Sequence, residues 1–243
     1  LRLLEAAAAD PDVLAIKQTL YRVSGKSPIV AALERAAQNG KQVTVLIEVR
    51  ARFDEENNIN WSIALEKAGC HVIYGIPNYK CHSKITLVIR REAGSLARYV
   101  HLGTGNYNDV TARLYTDMGL LTADPVIGMD ASTFFSNVTG FTDAKPMTKL
   151  IASPSGIRSR LIDLIHEEIE AAQKDEPCGI VIKVNGLTDR KMIQHLYKAA
   201  DKGVPITLIV RGACCLSVKG HPNIHVRSIV GRFLEHARIY YFT

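Results

Sequence analysis

Two stretches of the chain share one pattern: YRVSGKSPIVAALERAAQNGKQVTVLIEV, from Tyr21, and KVNGLTDRKMIQHLYKAADKGVPITLIV, from Lys183. Each passes from a strand end through a loop into a helix, then a glycine (Gly40 or Gly203), then an apolar run rich in β-branched residues. Helix, glycine and buried strand in that order define an alternating α/β unit, and meeting the order twice makes the chain a duplication. The echo continues. CHSKITLVI is answered by EHARIYYF, so that His82 and Lys84 correspond to His236 and Arg238.

The first copy can be read element by element. SPIVAALERAAQNG is a helix with Ser27 as N-cap, Pro28 at its first position and Gly40 just past its end. KQVTVLIEV is a buried strand, NINWSIALEKAG a second helix, CHVIYGI a second strand and HSKITLVIRR a third, beginning at His82. SLARYVHLGTG is a fourth strand that runs into a glycine-containing turn. Residues 136 to 156 are rich in small and polar residues, with Pro146 and Pro154, and divide the chain. One domain is expected over 1–145 and a second over 146–243, opened by the amphipathic helix of GIRSRLIDLIHEEIEAAQKDEP.

Charge narrows the partners. A net charge of +6 and a pI near 9.1 suit an anion, without choosing among phospholipid, nucleotide, nucleic acid or a phosphate polymer. No apolar stretch approaches the roughly 20 residues of a membrane span, and the start LRLLEAAAADPD is not a secretory signal. The five cysteines include one adjacent pair and no C-x-x-C, which indicates neither a disulfide framework nor a zinc site and agrees with a reducing cytosol. Both ends look cut, so the chain is expected to be a piece of a longer protein and, alone, to fold but to be nearly inactive.

The chemistry starts from spacing. On an extended chain, residues two apart share a face. His82 therefore neighbours Lys84, and His236 neighbours Arg238. Two apolar residues are the default in a buried sheet, so a histidine and a cation mean that the face meets something polar. Paired about a pseudo-twofold axis, the two copies would make one basic pocket with two imidazoles. Flanking cations disfavour protonation of an imidazole and keep it nucleophilic, and they stabilise a phosphoryl group in transit. In HLGTGNYN, the turn amides and the side chain of Asn106 could donate to phosphate oxygens. Arg22, Arg52 and Arg211 each lie just beyond a strand end, where open α/β sheets place ligands, and a guanidinium fork suits phosphate. Arg211 is read as the second-copy equivalent of these first-copy arginines. Tyr115 stands beside a turn, placed either to stack on a base or to pack. His71, His101, His166, His195, His221 and His225 are read as structural.

Taken together, the His-x-Lys strand and the following Gly-Thr-Gly-Asn, in a duplicated chain, resemble the phospholipase D superfamily. The wording of LYRVSGKSPIVAALERAAQNGKQVTVLIEVRARFDEENNINW, CHSKITLVIRR, YVHLGTGNYNDVTARLYTDMGLLTAD and FLEHARIYYF is closely similar to the phospholipase D-like type of polyphosphate kinase. The resemblance implies an α/β fold of two phospholipase D-like α/β/α domains related by internal duplication, the second truncated. It implies reversible transfer of the terminal phosphate of ATP to inorganic polyphosphate through a phosphohistidine. His82 would carry the phosphate, and His236 would contact nucleotide phosphates and assist proton transfer. Tyr115 and Arg211 fall on positions that bind ATP, with Lys84, Asn106 and Arg238 beside the phosphates. Arg22 and Arg52 fall on the magnesium–phosphate site; having no lone pair to offer Mg²⁺, they would hold the phosphates that the metal bridges. ATP, ADP and polyphosphate are then the expected partners rather than nucleic acid, with a homo-oligomer in the cytoplasm, peripherally membrane-associated in some members. The hydrolytic members carry an Asp five residues after the Lys, where this chain has Ile89, and Arg238 replaces the second Lys. Those departures argue against the rival reading of a phosphodiesterase or nuclease, and leave the residue that orients His82 unassigned. A non-catalytic polyanion-binding scaffold is the other rival.

Overall fold

The computed structural model describes residues 1–21, 23–24, 27–48, 55–140 and 145–243, with side chains of the third helix from Asn58 onward. The first unit is built from α1 (Arg2–Ala9), β1 (Val13–Leu20), α2 (Pro28–Gln38), β2 (Gln42–Ile47), α3 (Glu55–Lys67), β3 (His71–Tyr74), β4 (Ile85–Glu92) and β5 (Ser95–Gly103). After a short β6 (Tyr115–Thr116), which packs with the second unit, it is completed by β7 (Gly119–Thr122) and α4 (Pro125–Gly140). The second unit contains α5 (Ile157–Gln173), β8 (Ile180–Val184), α6 (Arg190–Asp201), β9 (Ile206–Val210), β10 (Ile224–Arg227), β11 (Leu234–Glu235) and β12 (Ile239–Phe242).

The punctuation read in the sequence operates as expected. Ser27 accepts a hydrogen bond from the amide of Val30, Pro28 opens α2, and Gly40 follows its end at φ +80°. In the second unit Asp189 accepts from the amide of Met192, and Gly203 follows α6 at φ +92°. A left-handed turn of this kind suits glycine, which has no Cβ to clash; it reverses the chain so that the next strand returns under the helix.

Topology confirms the duplication. The first sheet has the order β3-β2-β1-β4-β5-β7 and the second β10-β9-β8-β12. In each, three strands are parallel and the fourth runs antiparallel to the first of them. Leu20 pairs with Ile47 as Val184 pairs with Val210, and Gln18 pairs with Thr86 as Ile182 pairs with Tyr240. This register makes His82 equivalent to His236 and Lys84 to Arg238, as the sequence echo indicates. It also corrects one equivalence. The residue following β2 is Glu48, whose amide bonds Leu20 O at 2.9 Å, and the residue following β9 is Arg211, whose amide bonds Val184 O at 3.2 Å. Arg211 thus stands in the place of Glu48, not of an arginine of the first unit.

Each sheet carries its core on the faces its helices cover. In the first unit, Ile16, Val43, Val45 and Ile47 pack with Val30, Leu33 and Ala36 of α2, while Ile85, Leu87 and Val100 face Ala131 and Phe135 of α4 on the other side. Gly128 permits that second layer, because a Cβ there would lie 2.8 Å from Cβ of Arg98. Asp130 of α4 is buried and accepts the amides of Thr148, Lys149 and Leu150, tying the segment after the helix back onto it. Burial alone would raise its carboxyl, and the three amides outweigh burial and hold it below the usual range. In the second unit Ile165 of α5 and Leu196 of α6 cover Ile180, Ile182 and Leu208. Among the described residues no helix is long and apolar enough to cross a membrane.

Candidate active site

His82 and Lys84 precede β4 rather than beginning it: the strand starts at Ile85, and 81–84 form an extended lead-in. The antiparallel direction of β4 brings this lead-in to the C-terminal ends of β1 and β2, the edge at which open α/β sheets receive ligands. Two buried side chains from those ends hold it. Glu48 accepts the amide of Cys81 at 2.8 Å, and Thr19 Oγ1 donates to Ser83 O at 2.8 Å and accepts from the amide of Ile85 at 3.1 Å. His82 lies between the two anchors, exposed. The ring edge of Tyr21 approaches it with centroids 4.6 Å apart and planes at 65°. Glu48 and Thr19 thus fix the backbone on either side of His82, and Tyr21 packs against its ring.

Lys84 is only 6% exposed. Its Nζ lies 2.8 Å from His82 Nδ1, 3.2 Å from Nε2 and 5.0 Å from the Tyr21 ring centre, and it also bonds His82 O. An ammonium offers donors alone, so the ring nitrogen it meets is an acceptor, as in neutral imidazole. The turn after β5 is less available than expected. Gly103 N bonds Lys84 O at 2.9 Å and Thr104 N bonds Met118 O at 3.0 Å, so these two amides are committed to the protein. The Asn106 side chain carries a buried Oδ1 without a hydrogen-bond partner among the described residues. Arg22 and Arg52 lie outside the described residues. Those residues contain no group of three or more His, Cys, Asp or Glu able to hold a metal ion.

The equivalent place in the second unit is built differently. His236 and Arg238 again form an extended lead-in to a strand, β12 beginning at Ile239. Here the histidine is buried, 7% exposed, and its Nδ1 lies 2.8 Å from Asp117 Oδ1. Asp117 reaches it because β6 pairs in parallel with β11, Tyr115 opposite Leu234 and Thr116 opposite Glu235, and Ala237 N continues the ladder to Thr116 O. Lys183, equivalent to Thr19, holds Glu235 at 2.8 Å, and Thr116 Oγ1 donates to the same carboxylate. Tyr115 lies 5.0 Å from the His236 ring centre at 40°. A carboxylate on Nδ1 fixes the proton there and makes Nε2 the lone-pair nitrogen of the ring.

Arg238 donates to His236 O at 3.1 Å rather than flanking the ring. Burial lowers its guanidinium from the usual value, and the charge of Arg211 lowers it further. Two guanidiniums near enough to oppose each other make a place that an anion would relieve. Among the described residues, then, the His82 ring meets a cation and the His236 ring meets an acid. Asp117 and Glu48 were both missed in the sequence. The one available signal for Asp117 is its two-residue spacing from Tyr115 in YTD, which puts both on one face if the chain stays extended past β6.

Two α/β units of one topology, each presenting a histidine and a cation at the same strand lead-in, define a duplicated α/β protein with a basic strand-end edge in each unit. Comparison with known proteins identifies the family. The chain matches polyphosphate kinase C-terminal domain 1 over residues 1–144 and polyphosphate kinase C-terminal domain 2 over residues 150–243. It is 58% identical to the polyphosphate kinase of Halalkalibacterium halodurans, with 98% of this chain and 34% of that protein covered. It is 54% identical to that of Lactiplantibacillus plantarum, covering 99% and 34%. The crystal structure of polyphosphate kinase from Porphyromonas gingivalis superposes with a TM-score of 0.90 at 40% identity, covering 99% of this chain and 40% of that one. The chain belongs to the polyphosphate kinase family, and spans about a third of the length of the curated relatives it matches.

Proposed function

We propose that the chain carries the phosphotransfer residues of an ATP:polyphosphate phosphotransferase, with His82 as the group that is phosphorylated. The observation that carries this reading is the exposed His82 imidazole, fixed at the strand-end edge with a buried ammonium against its ring. The γ-phosphorus of ATP bonds to a His82 ring nitrogen as its bond to the bridging oxygen breaks, and ADP leaves with that electron pair. A terminal oxygen of polyphosphate then takes the phosphoryl group from nitrogen, and the same steps run in reverse. An arriving phosphoryl group offers Lys84 anionic oxygens in place of the ring nitrogen, which frees the lone pair for attack.

In the second unit, His236 binds nucleotide phosphate through Nε2 or passes a proton there, and Asp117 steadies the cation formed when it does. Arg211 and Arg238 hold phosphate oxygens and Tyr115 contacts the nucleotide; in the first unit, Asn106 serves phosphate beside Lys84. Magnesium bound with ATP would neutralise phosphate charge. Arg22 and Arg52 would hold the phosphates beside it. By resemblance the reading extends to a cytoplasmic homo-oligomer with peripheral membrane association.

The test is incubation with ATP labelled at the terminal phosphate, comparing the protein with His82→Ala. Acid-labile, alkali-stable label that disappears in the variant is expected. A folded, nucleotide-binding protein that takes no label overturns the kinase reading. Hydrolysis of a phosphodiester without ATP would then identify a diesterase, and unaltered polyanion binding without turnover a scaffold.

A further inference from the structure

Away from the strand-end edge, the second unit brings two histidines together on its helical layer. His166 of α5 is exposed and His195 of α6 half-buried, and Nε2 of the first lies 3.1 Å from Nδ1 of the second, with ring centres 5.1 Å apart and planes at 53°. As two neutral rings they share one hydrogen bond, N–H to lone pair.

We propose that His166 and His195 form a two-histidine clamp for a borderline transition-metal ion, zinc being the expected occupant. The separation suits it. Metal–imidazole bonds of about 2.0–2.1 Å place two ligand nitrogens about 2.9–3.4 Å apart, for angles from square to tetrahedral. The observed spacing falls inside that range, so the ion replaces the shared hydrogen bond without parting the helices. The ion bonds Nε2 of His166 and Nδ1 of His195; the ring that donated the shared hydrogen bond moves its one proton to its other nitrogen, where the second ring already carries its own, so no net proton is released. Imidazole selects zinc, copper or nickel over magnesium. Among the described residues no third His, Cys, Asp or Glu joins the pair. Water or a small anion therefore fills the remaining positions, and the affinity is micromolar rather than that of a closed structural site. Because one ligand comes from each helix, occupancy ties α5 to α6 and raises the stability of the folded chain by mass action.

The experiment is calorimetric titration of chelator-stripped protein with Zn²⁺ in excess Mg²⁺. A Cys214→Ser/Cys215→Ser background removes the exposed adjacent thiols. One micromolar site is expected, weakened at least tenfold by either His166→Ala or His195→Ala and unchanged by His225→Ala, a histidine on β10. Zinc is also expected to raise the melting temperature of the parent and of neither clamp variant. Absence of the site, or an affinity equal to the parent's in either clamp variant, overturns the proposal. Circular dichroism checks the variants, and His166→Gln and His195→Gln replace any that fails to fold.

Discussion

The two histidine lead-ins occupy one topological position in two copies of a fold, yet their surroundings have opposite character. In the first unit the imidazole is exposed, meets an ammonium, and has a carboxylate, Glu48, at the adjacent strand end. In the second it is buried, meets the carboxylate of Asp117, and has a guanidinium, Arg211, at that strand end. The backbone fixes where a residue stands, and a few exchanged side chains decide what it can do there. A ring met by a cation and open to solvent suits attack on phosphorus. A ring held by an acid among arginines suits holding phosphate and handling a proton.

The largest expected effects break this division directly. His82→Ala should abolish both protein labelling and polyphosphate synthesis. His236→Ala should lower synthesis by about 10²–10⁴-fold, the range of a lost acid–base group, while some label on His82 persists. Rapid-quench labelling beside steady-state synthesis separates the two. Equal loss of label in both folded variants would remove the distinction between nucleophile and assistant.

Next comes Asp117→Asn, which keeps the size of the side chain and removes its charge. Outer-partner losses run to about 10–100-fold, and a drop of that order in turnover is expected with folding intact. The pH profile should change as well, because His236 no longer has a carboxylate to steady its protonated form. An unchanged profile and rate would reduce the 2.8 Å contact to packing.

How much of this could be read from sequence depends on range. The caps at Ser27 and Asp189, the glycines at 40 and 203 and the two-residue spacing of His82 with Lys84 are local, and local spacing follows from backbone geometry. Asp117 lies 119 residues from His236, and Glu48 lies 33 from Cys81. Those partners are set by which strands pair and in what register, and periodicity carries no record of that. The same limit explains why Arg211 was matched to an arginine when sheet register matches it to Glu48. It also explains the strand start. A lead-in continuous with the apolar run ITLVI reads as part of the strand, and only the ladder shows pairing to begin at Ile85.

Glu48 gives a smaller, graded test. Glu48→Gln retains an oxygen to accept the amide of Cys81 and should cost activity only severalfold. Glu48→Ala leaves that amide unpartnered and should cost about tenfold or more through misplacement of His82. If Gln and Ala lower turnover equally, the charge of Glu48 matters and its hydrogen bond to the lead-in does not. Thr19→Val tests the other anchor. It leaves the amide of Ile85 without its acceptor, at a cost of about 1–3 kcal/mol, read as a lower denaturant midpoint with an unchanged slope.

The smallest effect belongs to Lys183→Met, the second-unit counterpart of Thr19→Val. Lys183 holds Glu235 at 2.8 Å, and that contact, with the hydrogen bond from Thr116, lowers the carboxyl of Glu235 from its usual value. A carboxyl lowered in the folded state contributes stability above its unfolded value and loses it as pH falls through the folded one. The variant should therefore melt slightly below the parent at pH 7, by less than Thr19→Val does, and the gap should close on acidification to about pH 3, below the unperturbed carboxylate range. Thr19→Val, whose bonds involve no titrating group, should keep its deficit at both pH values. Thermal melts of the two variants at pH 7 and pH 3 decide the matter: a Lys183→Met gap that does not narrow at pH 3 would mean that the ammonium stabilises the lead-in through contacts other than its pairing with Glu235.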